Sequence, residues 1–294
     1  MRKSILQITS FGLVQVNCVI LLLTAFIFLS LYPSEVMMAQ GNLLIMPRRV
    51  VFEGSKKSDD LTLVNTGKDT AKYVISIVQL RMKEDGAFET ITKPDSGQYF
   101  ADKYLRFFPR TVTLGPNETQ LVKMQVTKTE KLDPGEYRSH IYFRAVPKDR
   151  PLGEGDISKD TASGVSIRLN PIFGITIPVI IRVGENNTSV KLNDFSFVMA
   201  NDTTPMFKMM FKRTGNMSVY GDIEVNYIST QGKVTRVAMI KGIAVYTPIT
   251  NRRFSFNLDK VPGVDWHSGK LHIIYETPVD VKAAKLAEAE VLLH

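Results

Sequence analysis

The sequence predicts an all-β protein made of two sandwich domains. Two observations lead there: from residue 42 onward short strand-type runs alternate with Gly, Pro, Asn and Asp turns, and helical periodicity is almost absent over the same stretch. A third is length. At 294 residues, with 44% hydrophobic and 22% charged residues, the chain can bury two cores and has no disorder-like composition.

The first seven runs are Leu43 to Phe52, Ser58 to Asn65, Ala71 to Met82, Leu105 to Leu114, Glu118 to Thr127, Gly135 to Val146 and Val165 to Val183. Turn chemistry separates them at Asn65-Thr66-Gly67, Asp85-Gly86, Gly115-Pro116-Asn117 and Asp133-Pro134-Gly135. Seven strands of this spacing match one immunoglobulin-like sandwich, expected over residues 41–184. Asp133, Gly135 and Tyr137 have the spacing of a tyrosine that packs back on the chain at a sandwich corner; an ordinary turn followed by an aromatic strand reads equally well.

The polar stretch Gly184 to Thr188 marks a boundary. Beyond it Val190 to Met199, Met206 to Thr214, Ser218 to Ser229, Lys233 to Val245, Arg252 to Asp259 and Gly269 to Glu276 predict a second, smaller sandwich over residues 185–278. In the tail, 279–294, Val281, Ala284, Leu286, Ala289 and Leu292 with Lys and Glu between them suggest a short helix.

Residues 1–39 stand apart. Arg2 and Lys3 precede an apolar stretch, densest from Val19 to Leu31, that meets Tyr32-Pro33-Ser34. That order of parts is a secretory signal with a cut after Ala39, and an uncleaved membrane anchor is the alternative. Export places the chain in the periplasm. The single cysteine, Cys18, lies inside this segment and lacks a convincing lipobox, so the mature chain has neither a disulfide nor a thiolate metal site. Without residues 1–39 there remain 35 Lys and Arg against 28 Asp and Glu, a balance of +7. The basic residues are scattered, which argues against a nucleic-acid partner.

Catalysis finds no support. The histidines at 140, 267, 272 and 294 have neither metal-ligand spacing nor a neighbouring nucleophile signature, and no cofactor or small-molecule site is expected. The Asn-X-Ser/Thr sequons at 117, 186, 187, 201 and 216 match chance occurrence.

The most informative stretch is Val165 to Val183. Every odd position is apolar: Val165, Ile167, Leu169, Pro171, Phe173, Ile175, Ile177, Val179, Ile181 and Val183. Alternation of period two puts this set on one face of a strand. Nineteen residues is several times the usual strand length of about 5 or 6, more than one small domain covers. Part of the apolar face, with Val165, Ile167, Leu169 and Phe173, is therefore expected to lie open to a partner that lacks a strand of its own, main-chain bonds giving affinity and side chains filling pockets. The alternative is a long interdomain strand, satisfied within its own molecule and split in two at Pro171.

Several stretches carry a resemblance: Arg49-Val50-Val51-Phe52-Glu53-Gly54 with Lys57, Leu61-Thr62-Leu63-Val64-Asn65, Tyr73 to Met82, Phe108-Pro109, Leu114-Gly115-Pro116 with Gln120, and Ile177-Pro178-Val179-Ile180-Ile181-Arg182. Over residues 43–183 the chain resembles the periplasmic chaperones of the chaperone–usher pilus pathway, as a divergent member. The resemblance implies a strand-donating chaperone whose partners are exported fibre subunits and an outer-membrane usher. It also implies that Arg49, with Arg48 as the competing candidate, grips a subunit's C-terminal carboxylate in the cleft between the domains. The family's second anchor, a lysine near the end of the donor strand, falls on Pro178, which has no cation; Arg182 is the nearest substitute. The competing function is a structural or cell-surface accessory protein with two immunoglobulin-like domains. Exposed sheet edges also make self-association plausible.

Overall fold

The computed structural model describes residues 43–147, 172–201, 203–278 and 284–293. They form two β-sandwiches joined by the short connection at 184–188. Residues 1–39, Val165, Ile167, Leu169 and Pro171, with the expectations stated for them, lie outside the described residues.

In the first sandwich β1 (Leu43–Met46), β3 (Ser58–Asn65), β9 (Thr119–Val126) and β7 (Leu105–Phe108) make one sheet in the order β1-β3-β9-β7. The facing sheet has the order β2-β11-β10-β4-β8, built from β2 (Val50–Phe52), β4 (Ala71–Val78), β8 (Thr111–Leu114), β10 (Gly135–Val146) and β11 (Gly174–Val183). A small hairpin of β5 (Leu80–Met82) and β6 (Phe88–Thr90) stands off this sheet. Leu61, Leu63, Val122, Phe52, Ile141, Phe143 and Val179 are among the side chains that fill the core between the sheets.

Three runs that read as single strands are each two, and in two of them a proline marks the division. Leu43 to Phe52 divides at Pro47, and Leu105 to Leu114 divides at Pro109; in each case the halves belong to opposite sheets. Proline has no N–H for the ladder, so pairing stops and the chain crosses the sandwich edge. The first crossing sets Arg49 at the corner just before β2. Ala71 to Met82 similarly divides into β4 and β5. The corner tyrosine is also resolved, because Tyr137 Oη donates to the Asp133 carbonyl at 3.3 Å.

The second sandwich packs the sheet β12-β13-β16 (Ser189–Ala200, Thr204–Thr214, Asn251–Asn257) on the sheet β15-β14-β17-β18 (Val234–Val245, Val219–Ile228, Lys270–Glu276, Lys285–Leu292). Phe207, Phe211, Ile223, Val225, Leu271, Ile273 and Tyr275 lie at its centre.

The tail is a strand, not a helix. Ala287, Ala289 and Val291 pack on the core, while Glu288 and Glu290 face out and meet His272 at 2.6 Å and Lys270 at 2.9 Å. Antiparallel pairing with β17 runs from Lys270 opposite Leu292 to Glu276 opposite Lys285. An isolated helix of about three turns is marginal in water, whereas the edge of β17 offers a full ladder of main-chain bonds. The charged outer positions of β18 then guard the new edge.

Removing residues 284–294 uncovers β17 and part of the core. It should lower the stability of the second sandwich by roughly 2–4 kcal/mol and promote aggregation, read by chemical denaturation and light scattering. Unchanged unfolding would mean that β18 adds nothing to the fold.

Candidate partner-binding site

The strand β11 is bonded differently along its two edges. On one side β10 accompanies it from Gly174 to Val183; on the other the parallel strand β2 covers only Val179, Ile180 and Ile181. From Gly174 to Pro178 the second edge has no strand beside it among the described residues.

Proline at position 178 fits this geometry. The Phe173 carbonyl accepts from Ala145 N at 2.9 Å, so along the antiparallel register the odd residues of β11 turn their main-chain groups toward β10. Pro178, opposite His140, is an even residue whose missing N–H faces the uncovered edge and costs no rung. Gly174 is required by contact: a Cβ there would lie 2.2 Å from the Tyr142 ring, which spreads over it from β10.

The alternation expected along β11 holds for Ile177, Val179 and Ile181, all buried in the first core. Ile180, on the opposite face, is buried as well, because the second sandwich covers it: Met82, Ile180, Ala244 and Tyr246 form a small apolar cluster between the sandwiches, with Val51, Tyr220 and Ile249 around it. At the other end of the strand Ile172 and Phe173 are exposed, at 51% and 42%. Of the four side chains expected to be open, Phe173 is the described one.

The even face of β10 lines the same seam. Glu136, Arg138 and His140 are all buried there, while Tyr142 and Arg144, beyond the seam, emerge toward solvent. Glu136 Oε2 accepts from Ser218 Oγ at 2.6 Å and Ser218 N at 3.0 Å, and Arg182 Nε lies 3.4 Å away. Arg182 also donates to the Ser218 carbonyl at 2.9 Å and approaches Glu53 at 3.6 Å. Arg182 is thus occupied within the molecule. Arg138 donates to the Thr247 carbonyl at 3.0 Å and lies 4.2 Å from the Tyr246 ring centroid; burial lowers its pKa.

Arg49 enters the seam from the sheet-crossing corner. Its guanidinium lies over Tyr220 and Tyr246, and Nη2 is 3.5 Å from Ser218 Oγ. Nη1 is buried with no acceptor among the described residues, as are Nε and Nη1 of Arg138. Such a set of unsatisfied donors suits an acceptor brought by another molecule. Arg48, the competing candidate, is exposed.

Sequence reasoning named Arg49, Arg182 and Phe173 but missed Glu136, Arg138, Ser218, Tyr220 and Tyr246. A usable signal existed in Glu136, Arg138 and His140, three titratable residues alternating on a strand otherwise rich in apolar and aromatic side chains. The residues from the second sandwich left no comparable pattern.

No family model matches the sequence, and neither does any curated protein. Among solved structures the chain is similar to a chain of a chaperone–tip adhesin complex in CFA/I fimbriae biogenesis, with 14% identity, coverage of 86% of this chain and 98% of that one, and a TM-score of 0.41. It is also similar to the YadV chaperone, with 13% identity over 86% of this chain and all of that one, TM-score 0.41. For the CupB2 chaperone of Pseudomonas aeruginosa the identity is 13% over 85% and 99%, TM-score 0.39. The two-sandwich fold stands on its own strand order.

Two expectations follow from the seam. Glu136→Gln weakens the bonds from Ser218 and leaves Arg182 without its buried partner, so stability should fall by about 2–4 kcal/mol in chemical denaturation. His140 is 3% exposed, and burial, then Arg138 and Arg49, lower its pKa from 6.5 to about 3. The folded state therefore refuses a proton that the unfolded state accepts. Stability is whole above pH 6.5 and is lost as the pH falls from there toward 3, by up to about 1.4 kcal/mol per pH unit. His140→Phe should reduce the loss between pH 7 and 4.5 by roughly 2–3 kcal/mol; an unchanged pH profile would contradict this.

Proposed function

We propose that this chain is a periplasmic chaperone that binds exported fibre or pilus subunits and stabilises them with an apolar strand until assembly at the outer membrane. The observation that carries this reading is the half-covered β11. Its uncovered edge runs from Gly174 to Pro178, and exposed Ile172 and Phe173 lie at its start. A sheet edge with no strand beside it among the described residues, next to exposed apolar side chains, suits a partner that is itself one strand short.

Under this proposal the recognition strand extends back through Leu169, Ile167 and Val165, whose odd-numbered alternation continues that of Phe173. Main-chain bonds would supply affinity without regard to sequence, and the alternate side chains would select the client. Arg49 would hold the client's C-terminal carboxylate, a task suited to a guanidinium held in a partly desolvated cleft. Arg182, bound to Glu136 and the Ser218 carbonyl, would support the cleft rather than face the client. An outer-membrane usher is the expected second partner, and export through residues 1–39 the expected route.

The test is affinity isolation of the tagged protein from its native envelope fraction, with mass spectrometry of what co-purifies. A small exported subunit should be recovered in equal amount and lost in Phe173→Glu and Leu169→Glu, both with unchanged thermal unfolding. Arg49→Ala should weaken retention by about ten- to a hundredfold, the worth of one charge-assisted contact. Recovery of large envelope proteins alone, indifferent to the strand substitutions, would replace this reading with that of a structural accessory protein.

A further inference from the structure

Arg49 is a residue of the first sandwich, yet the groups that hold its guanidinium come from the second. Its Cζ is 4.7 Å from the Tyr220 ring centroid and 5.6 Å from that of Tyr246, and Ser218 supplies the hydroxyl near Nη2. Tyr220 lies in β14 and Tyr246 follows the last residue of β15. These strands pair antiparallel with Val219 opposite Val245, which brings the two tyrosines to one end of the same sheet.

The platform is itself braced. A Cβ at Gly242 would lie 3.1 Å from the Tyr220 hydroxyl, and φ there is +76°, so the close approach of ring and backbone depends on glycine. Gly242 N donates to Asp222 Oδ1 at 2.8 Å, which fixes the irregularity in the β14–β15 pairing next to the ring. Tyr246 is buried among Met82, Ile180 and Ala244.

We propose that Tyr220 and Tyr246 position the Arg49 guanidinium for a carboxylate, so that the grip is completed only when the two sandwiches meet. This rests on the carboxylate-anchoring role of Arg49 proposed above. A ring face attracts the cation and restrains it without using its N–H groups, and Nη1 has no acceptor among the described residues, so a donor is left for a carboxylate. It also lowers the conformational entropy lost on binding. Of the other seam arginines, Arg182 is bound to Glu136, and Arg138, 2% exposed, shares the Tyr246 ring at 4.2 Å and donates to the Thr247 carbonyl. Tyr220 and Tyr246 are thus positioning residues.

The experiment follows the Arg49 Nε–Hε signal by nuclear magnetic resonance in the compact unit from Gly41 to His294, assigned through Arg49→Lys, with sodium acetate as the probe and sodium chloride as the ionic-strength control. In the unaltered protein the signal should be restrained, with an order parameter of about 0.8, and should shift saturably with acetate. Tyr220→Phe should keep both properties. Tyr220→Leu should mobilise the group to below about 0.6 and weaken acetate about fivefold, as should Tyr246→Leu, with the Tyr220 variant decisive if the more buried Tyr246 variant unfolds. Restraint and acetate affinity unchanged in Tyr220→Leu would overturn the proposal, as would absence of any acetate-specific shift in the unaltered protein. A normal acetate response combined with no recovered client would count against the chaperone reading and leave the platform standing.

Discussion

The buried carboxylate of Glu136 is the contact on which the relation between the two sandwiches depends. It comes from the first sandwich, accepts the main-chain N–H and hydroxyl of Ser218 from the second, and draws Arg182 to the same point. A carboxylate with no exposed side-chain surface is stable only when such donors converge on it. The same contact places Ser218 beside Arg49 and, two residues further along the chain, Tyr220 beneath its guanidinium. Seam geometry and cation geometry are therefore one problem, met by one set of bonds.

Around that point the seam combines a small apolar cluster with an excess of cations. Arg49, Arg138 and Arg182 converge where Glu136 is the buried acid. Tyrosine faces and main-chain carbonyls from Ser218 and Thr247 offset part of the cost of burying this charge. The lowered pKa of His140 follows from its burial at this seam and then from the charges of Arg138 and Arg49. The hairpin of β5 and β6 closes one side: Met82 is buried in the apolar cluster, and Glu84 accepts from Arg253 N at 2.6 Å and pairs with its side chain.

Beyond the seam, the C-terminal half of β11 is covered by β2 and the second sandwich, and its N-terminal half, still paired with β10, has no strand along its other edge among the described residues. This asymmetry explains how a residue that normally ends a central strand is tolerated at 178, since its missing N–H falls where the covering of the strand stops.

The alternation from Ile175 to Val183, the Gly, Pro and Asn turns and the polar stretch at 184–188 are short-range signals, and by themselves they determined an all-β chain with a long apolar strand ahead of a second set of strands. Asp133 and Tyr137 stood at the spacing of their eventual bond. What only the tertiary structure decided is what lies beside what. The sheet change at Pro47, the burial of Ile180, the diversion of Arg182 to Glu136 and the stacking of Arg49 on Tyr220 join residues up to about 170 positions apart. The tail shows the same limit. Val281, Ala284, Leu286, Ala289 and Leu292 also fit helical spacing, but the uncovered edge of β17 made a strand the lower-energy choice. Periodicity records which face of a segment is apolar; it does not record which edge or cation another part of the chain will have left unpaired.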